Sequence, residues 1–102
     1  MRRVMVRYRV KPDQAARNEE LVQAVFEELE RTGPAGVRYA TFTLPDGVSF
    51  VHLVSVETED GHNPLSDVKA FNEFQENVRD RCEDDPIATE LREIGSYRLF
   101  PT

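Results

Sequence analysis

Residues 37–56, "VRYATFTLPDGVSFVHLVSV", carry the clearest local structural signal in this chain of 102 residues. Side chains alternate in period two over residues 37–44, and apolar residues dominate residues 48–56. Between the two runs stands "LPDG", with Pro45 second and Gly47 fourth, which suits a type I turn with a bulge. The stretch therefore predicts a β-hairpin, with a histidine, His52, at the centre of its mainly apolar second strand.

The segments before the hairpin predict a strand followed by a helix. Apolar side chains at Val4, Val6, Tyr8 and Val10 alternate with Met5, Arg7 and Arg9, which indicates a strand. Residues 14–31 repeat apolar side chains at helical spacing and place glutamates on the other side, so we predict an amphipathic helix. Asp13 is the expected N-cap, and "TGPAG" at residues 32–36 ends the helix.

The segments after the hairpin predict a second helix and a last strand. Asn63 followed by Pro64 suits an N-cap and a first helical position, so residues 63–82 are expected to be helical with a break near Ser66. "EDDP" at residues 83–86 should stop this helix, and residues 87–100 should form a final extended segment with a bulge or bend at Gly95. A helical turn is the alternative for its first few residues. The order β-α-β-β-α-β predicts a ferredoxin-like α+β fold. We expect one domain over residues 1–102, an antiparallel sheet and both helices on one face.

The alternation within each strand also predicts which face of the sheet the helices cover. We assign to the covered face Val4, Val6, Tyr8, Ala40, Phe42, Val51 and Leu53. The open face then receives Arg7, Arg9, Tyr39, Thr41, Phe50, His52, Val54 and Val56. Because several of these residues are too apolar to remain in water, we expect a second copy of the chain to cover the open face.

Composition excludes several classes of function. A net charge of −6 disfavours nucleic acid and anionic membranes as partners, since both require clustered Lys and Arg. The single cysteine, Cys82, cannot form an internal disulfide and is expected to be buried at the end of the second helix. No apolar run approaches the roughly 18 residues of a membrane span. Arg7 and Arg9 interrupt any signal-peptide core, so the expected location is the reducing cytoplasm.

No motif for a metal or a cofactor is present. Acidic residues and a histidine cluster in "ETEDGH" at residues 57–62, but their spacing matches no calcium loop. The chain contains no Gly-rich phosphate loop, no G-x-S-x-G and no zinc motif. We therefore expect neither a metal nor a cofactor.

Four stretches together resemble dimeric α/β-barrel proteins of the antibiotic-biosynthesis-monooxygenase type. They are "VRYRVKPDQ" (6–14), "GVRYATF" (36–42), "SFVHLVSVET" (49–58) and "AFNEF" (70–74). The resemblance implies a homodimer whose two sheets close into a shared barrel, with a ligand cavity in each subunit between sheet and helices. It also implies candidate activities, namely cofactor-free oxygenation of phenols or haem degradation.

The chain departs from that family at two positions of the implied cavity. Several members place a Trp on the third strand, whereas this chain has no Trp and Ser55 falls near the corresponding position. The first strand brings Val6 and Tyr8 to the cavity, without an Asn. Both departures weaken the monooxygenase and haem interpretations and leave open whether the protein is an enzyme.

Two groups of candidate site residues follow. The resemblance places at a ligand cavity, for a small aromatic or phenolic molecule, Tyr8, Phe26, Ser55 and Phe71. A polar cluster on the open face, interpreted as part of the dimer interface, comprises Arg7, Arg9, Tyr39 and His52. For His52 the alternative is a general base or ligand contact, because its pKa lies near working pH.

Three functions remain open from the sequence. The first is a homodimer that binds a small organic ligand, with activity as a cofactor-free oxygenase or isomerase left open. The second is a non-catalytic binding or interaction module, which the sparse convergent polar groups favour. The third is an RNA-recognition motif, which shares the element order but needs stacking aromatics on the open face and a basic surface.

Overall fold

The computed structural model describes residues 1–99, and these residues form one four-stranded sheet with its helices. The predicted ferredoxin-like order is confirmed, except that the second helix is divided in two. Phe100, the last residue of the predicted final segment, lies outside the described residues. The elements are β1 (Arg2–Val10), α1 (Ala15–Thr32), β2 (Val37–Thr43), β3 (Ser49–Val56), α2 (Lys69–Glu76), α3 (Val78–Arg81) and β4 (Cys82–Leu91).

The sheet has the order β2-β3-β1-β4, and every neighbouring pair is antiparallel. The central pair is β1 and β3, as the ferredoxin-like prediction requires. Val22 and Val25 of α1 and Phe74 of α2 are buried in one cluster with Tyr8 and Phe50 of the sheet. The helices therefore cover one face and leave the other face open. No helix within residues 1–99 has the length and apolar character needed to cross a membrane.

The predicted faces are correct for β1 and wrong for β2 and β3. Across the central pair, His52 lies opposite Val6, and Phe50 lies opposite Tyr8. Directly opposite residues share a face, so these side chains point together toward the helices. The corrected covered face includes Tyr39, Thr41, Phe50, His52, Val54 and Val56, and the corrected open face includes Ala40, Phe42, Val51 and Leu53.

This correction has a simple physical reason. Both alternating sets of β3 are apolar, apart from His52 and two serines, so period two cannot tell which set faces the core. We assumed that the polar His52 faces outward, and a one-residue shift reverses every side chain of a strand. For β1 the alternation of valines with Arg7 and Arg9 leaves no such ambiguity, and both arginines do lie on the open face.

β4 begins five residues earlier than predicted. Cys82 was expected to end the second helix and residues 83–86 to stop it, but the strand starts at Cys82 and includes Pro86. Two register shifts accommodate this segment, one between Arg7 and Arg9 and one between Arg9 and Val10 of β1. Proline is tolerated there because β4 is an edge strand and the ladder is already interrupted by bulges. The predicted bend at Gly95 falls beyond the strand.

The helix ends also differ from the prediction in two places. Asp13 is not the N-cap of α1, because it lies within a 3₁₀ turn, Pro12–Gln14, that precedes the helix. The Asn63 side chain does accept from the backbone N–H of Leu65, at 3.0 Å, but it starts a 3₁₀ turn, Pro64–Asp67. The end of α1 agrees with the prediction, because Gly33 takes the left-handed conformation with φ of 55°.

The start of α2 is capped by a residue of α1. Val68 precedes α2 and has no side-chain acceptor, so the first backbone N–H groups of the helix need a partner from elsewhere. Glu28 supplies it: its two carboxylate oxygens accept from the N–H groups of Lys69 and Ala70, each at 2.9 Å. These bonds, the one from Ala70 foremost, lower the pKa of the Glu28 carboxyl. The contact joins the two helices over the covered face.

We expect the variant Glu28→Gln to melt at a lower temperature than the parent protein at pH 7. A neutral amide offers one acceptor oxygen in place of two and removes the charge that favours a helix N-terminus. Because folding lowers the pKa of Glu28, its stabilisation is present above the pKa of the unfolded chain and is lost in acid. The difference in Tm should therefore shrink as the pH falls. Glu27→Gln, at an exposed neighbouring position, is the control, and an equal loss in both variants would contradict the capping role.

Candidate functional site

A continuous row of buried polar side chains, here named the polar chain, runs beneath the helices from the end of α3 to β2. The Nε of Arg81 donates to the Oδ1 of Asn18 at 3.1 Å, and the Nδ2 of Asn18 donates to the hydroxyl of Tyr8 at 2.8 Å. The Tyr8 hydroxyl lies 2.8 Å from the Nε2 of His52. On the other side of the ring, the Nδ1 of His52 lies 2.6 Å from the hydroxyl of Tyr39.

Every member of the polar chain except Tyr39 is nearly inaccessible to solvent. The exposed fraction is 0% for Asn18, 3% for His52 and 6% for Arg81. A polar group buried without a hydrogen bond costs about 1–3 kcal/mol, so the mutual pairing is what makes these residues tolerable in the core. The polar chain is therefore a specific, fully connected feature of the interior.

Arg81 is a buried cation without a carboxylate partner. None of the ion pairs formed within residues 1–99 includes it. Its guanidinium instead donates to the backbone carbonyl of Phe74 at 2.8 Å and lies 5.3 Å from the centre of the Phe74 ring. Neutral acceptors and an aromatic face thus replace a counter-ion.

Aromatic rings enclose the polar chain. Tyr8 stacks on Phe50 with 5.5 Å between ring centres, and His52 lies 5.3 Å from Phe74. At the far end, Phe26 stacks on Tyr39 at 5.0 Å with an interplanar angle of 10°. Such rings exclude water and lower the local dielectric, which strengthens the hydrogen bonds between them.

Burial keeps the titratable members of the polar chain uncharged. It lowers the pKa of His52 to about 4, so the imidazole is neutral at pH 7. Burial also raises the pKa of Tyr39 to about 12, although a hydrogen bond from Thr41 lowers that pKa in part. The pKa of Tyr8 is raised by burial as well, and its hydrogen bond with Asn18 opposes that effect. Arg81 is consequently the one charged group of the polar chain.

A small surface cavity, here named the helix-side mouth, reaches the outer end of the polar chain. It has a volume of about 240 Å³ and lies between the end of α1 and β2. Its walls include Phe26, Leu29, Gly33, Pro34, Val37 and Tyr39. Tyr39 is thus both the last residue of the polar chain and part of the wall of the helix-side mouth.

The open face carries a larger cavity of about 540 Å³, between the sheet and residues 92–99. An ion pair of 3.0 Å between Arg3 and Glu93 joins that segment to β1. The cavity walls are mainly apolar and include Ala40, Phe42, Leu53, Ile94 and Leu99. Phe42 and Ile87 of this face are 54% and 58% exposed, so the open face is apolar and accessible in the single chain.

The structure divides the predicted ligand residues between the two faces. Tyr8, Phe26 and Phe71 lie on the helix side, where the aromatic rings meet. Ser55 does not join them, because β3 directs it to the open face. There its hydroxyl donates to the Glu57 carboxylate at 2.8 Å, and the residue lines the larger cavity.

The predicted open-face polar cluster is divided in the same way. Arg7 and Arg9 do lie on the open face, and Arg9 forms an ion pair of 3.0 Å with Asp84. Tyr39 and His52 do not, because both belong to the covered face and to the polar chain. The histidine in this apolar strand therefore has a structural reason: in the interior, His52 pairs with two tyrosines.

Two residues of the polar chain, Asn18 and Arg81, were missed by the sequence analysis. A signal for each was present. Asn18 occupies the apolar stripe of α1, four positions before Val22, and Arg81 follows Phe74 by seven positions on the apolar side of the second helical region. A polar residue at a position where the helical pattern expects an apolar one is the feature that could have identified them.

Neither a metal centre nor a reactive thiol is part of this site. Within residues 1–99, no group of three or more His, Cys, Asp and Glu side chains is arranged to hold a metal ion. Cys82 is buried, as predicted, and burial raises the pKa of its thiol. The polar groups that the site contains are hydroxyl, imidazole, amide and guanidinium groups.

Comparison with known proteins identifies similar structures and no similar sequence. No family model matches the chain, and no curated protein matches it. Among solved structures, an antibiotic biosynthesis monooxygenase superposes with a TM-score of 0.72 at 14% identity, over 93% of this chain and 100% of that chain.

Two further structures extend the comparison. A variant of SnoaB, a cofactor-independent oxygenase from Streptomyces nogalater, superposes with a TM-score of 0.68 at 13% identity, over 95% of this chain and 96% of that one. NE2512, a protein of unknown function from Nitrosomonas europaea, superposes with a TM-score of 0.73 at 13% identity, over 99% and 94% of the two chains. The expected resemblance is thus confirmed at the level of the fold.

We expect His52 to remain neutral in the folded protein until the pH approaches 4. Its ordinary pKa is 6.5, and burial lowers it to about 4, so the neutral ring stabilises the fold above pH 6.5 and that stabilisation is lost as the pH falls to 4. The loss should be about 3 kcal/mol of unfolding free energy. NMR titration provides the measurement, with the exposed His62 as internal control, because its hydrogen bond with Asp67 raises its pKa.

The variant His52→Gln should lack this part of the pH dependence. Denaturant unfolding at pH 7.5, 5.5 and 4.5 gives the unfolding free energy of both proteins. The free energy should fall more steeply with falling pH in the wild-type protein than in the variant. A His52 resonance that titrates near pH 6.5 in the folded protein would contradict the buried, neutral assignment.

Proposed function

We propose that this protein is a homodimer, associated through the open face of its sheet, that binds a small aromatic or phenolic molecule at the helix-side mouth. The observation that carries the ligand site is the position of Tyr39. Its hydroxyl is the end of the polar chain, and the residue lines the mouth. A ligand there would contact a polar group held in place by buried partners.

The open face supports the homodimer. Phe42 and Ile87 are more than half exposed on it, and Leu91 is 39% exposed. Apolar surface of this kind on a sheet layer is normally covered by a second layer, and a second copy is the partner that the fold most simply supplies. The exposed Arg7, between Val51 and Ile87 in the sheet, lies on the same face and keeps it from being uniformly apolar.

The helix-side mouth supports a small ligand. Its volume of about 240 Å³ suits a molecule of one or two rings, and its lining is largely apolar. Phe26 and Tyr39, which are stacked on each other and line the mouth, offer aromatic groups to such a ring. Tyr39 adds one hydrogen-bonding group that would orient the ligand.

Turnover as a cofactor-free oxygenase is the second candidate function. The fold similarity to an oxygenase described as cofactor-independent favours it. In that reaction type the substrate, as its phenolate or enolate, reacts with O₂ directly, and the protein binds and orients it. The sparse polar groups at the mouth, Tyr39 and Glu30, favour binding without turnover.

The RNA-recognition alternative receives no support from the corrected faces. Phe50 and His52, which were its stacking candidates, lie beneath the helices. The open face of β1 and β3 offers no aromatic ring in their place.

Light scattering at micromolar concentration should give a mass of about twice 11.7 kDa. The variant Phe42→Glu should shift the protein toward the monomer while its melting remains cooperative, because a charge would be buried at the interface but is exposed in the single chain. Gln75→Glu, on the exposed side of α2, adds the same charge and should leave the dimer intact. A wild-type protein that is monomeric at these concentrations would disprove the dimer.

Naphthol, a two-ring phenol, should bind to the wild-type protein and bind more weakly to Tyr39→Phe. The variant keeps the ring and removes only the hydroxyl, so the loss should correspond to one hydrogen bond, roughly threefold to tenfold in Kd. Tyr97→Phe is the matched control, because Tyr97 is 80% exposed and is not among the residues that line the mouth. Calorimetry measures the affinity, and oxygen uptake on adding naphthol distinguishes turnover from binding alone. Equal affinities for all three proteins would exclude Tyr39 from the site.

A further inference from the structure

We infer that Arg81, acting through Asn18, fixes His52 as the tautomer with its hydrogen on Nδ1 and thereby makes Tyr39 a hydrogen-bond donor toward the helix-side mouth. Arg81 and Asn18 are positioning residues in this scheme, since neither of them lines the mouth. The inference follows from counting donors and acceptors along the polar chain, starting at its one charged member.

The first step fixes the orientation of Asn18. A guanidinium has only donors, so the atom of Asn18 that faces Arg81 must be the carbonyl oxygen, Oδ1. The amide nitrogen, Nδ2, must then face the hydroxyl of Tyr8, 2.8 Å away. A side-chain amide has no intrinsic preference between its two ends, and here Arg81 supplies the preference.

The second step fixes the tautomer of His52. Because Asn18 donates to the Tyr8 oxygen, the single hydroxyl hydrogen of Tyr8 is available for the Nε2 of His52. Nε2 therefore accepts, and a neutral imidazole then carries its hydrogen on Nδ1. In the opposite tautomer, His52 and Asn18 would both donate to the Tyr8 oxygen. The hydroxyl hydrogen of Tyr8 would then face one of these two N–H groups and have no acceptor.

The third step orients Tyr39. The Nδ1–H of His52 points at the Tyr39 hydroxyl, 2.6 Å away, and at the Thr41 hydroxyl, 3.0 Å away. The Tyr39 oxygen thus accepts from His52. In this arrangement the Thr41 hydroxyl also accepts from His52 and donates to Tyr39, so the hydrogen of Tyr39 remains for another acceptor. Because Tyr39 also lines the mouth, we infer that a bound molecule supplies that acceptor.

The consequence for ligand chemistry rests on the proposed function. A molecule in the helix-side mouth would be recognised by an oxygen that accepts a hydrogen bond, such as a carbonyl, an enolate or a phenolate. A molecule that offers only a donor would face the Tyr39 hydroxyl with the wrong polarity. The row of hydrogen bonds leading from the Arg81 cation would also stabilise negative charge on the acceptor oxygen of a bound ligand.

The variant Asn18→Asp tests the direction of the polar chain. Its carboxylate would accept from both Arg81 and Tyr8, so the Tyr8 hydrogen would turn away from His52. The Tyr8 oxygen would then accept from Nε2–H, and His52 would change to the other tautomer. Two-dimensional ¹⁵N–¹H NMR of the imidazole rings distinguishes the tautomers, and His62→Gln assigns the signals, because the chain has two histidines.

The expected result is Nδ1–H in the wild-type protein and Nε2–H in Asn18→Asp. Asn77→Asp makes the same chemical change at an exposed position and should leave Nδ1–H unchanged. Should Asn18→Asp fail to fold, Tyr8→Phe provides a second test. It removes the hydroxyl that links Asn18 to His52, so the Nε2–H form should appear. Nε2–H in the wild-type protein, or no change of tautomer in a folded Asn18→Asp, would overturn the inference.

A neutral, shape-matched ligand pair tests the polarity at the mouth. 2-Acetylnaphthalene has an acceptor oxygen where 2-ethylnaphthalene has a methylene group, so it should bind roughly threefold to tenfold more tightly to the wild-type protein. Asn18→Asp should remove this preference although Tyr39 is retained. If neither compound binds while the tautomers behave as expected, the proposed ligand site fails and the positioning role stands. If both bind equally well to the wild-type protein, the donor role of Tyr39 is overturned.

Discussion

The hydrogen bond from the buried guanidinium of Arg81 to Asn18 is the interaction on which the rest of the interior depends. Arg81 ends α3, its side chain contacts α1 through Asn18 and α2 through the carbonyl of Phe74, and its own carbonyl accepts from Lys11, just after β1, at 2.8 Å. One residue therefore connects three helices to the sheet. A cation held this way tolerates little displacement, because each lost hydrogen bond would leave a buried charge less compensated.

The polar chain also specifies how the sheet is assembled. His52 can satisfy both ring nitrogens only when β3 turns it toward the helices, between Tyr8 of β1 and Tyr39 of β2. A shift of β3 by one residue would bury Leu53 in its place and leave both tyrosine hydroxyls without their partner. The register of a mainly apolar strand is therefore set by a buried polar residue, since only one register gives His52 its hydrogen-bond partners.

The sheet separates two surfaces with different chemistry. On the helix side, side chains fill much of the interior, and a mouth of about 240 Å³ lies beside Tyr39. On the open side, a larger apolar surface and a cavity of about 540 Å³ remain uncovered in the single chain. Similar folds occur in an oxygenase and in a protein of unknown function at 13% identity, so the fold sets the layers while the interior residues decide what each layer can do.

The sequence by itself determined the element order, the pairing of the hairpin and the faces of β1, because periodicity and turn residues are local properties. It did not determine the face of β3, where both alternating sets are apolar, or the start of β4, where acidic residues and Pro86 imitate the end of a helix. Only the tertiary structure decided the site. Tyr8 lies 44 positions from its partner His52, and Asn18 lies 63 positions from its partner Arg81, so no local pattern shows that these pairs meet. A buried polar residue is recognised by the partners that satisfy it, and those partners are brought together by folding.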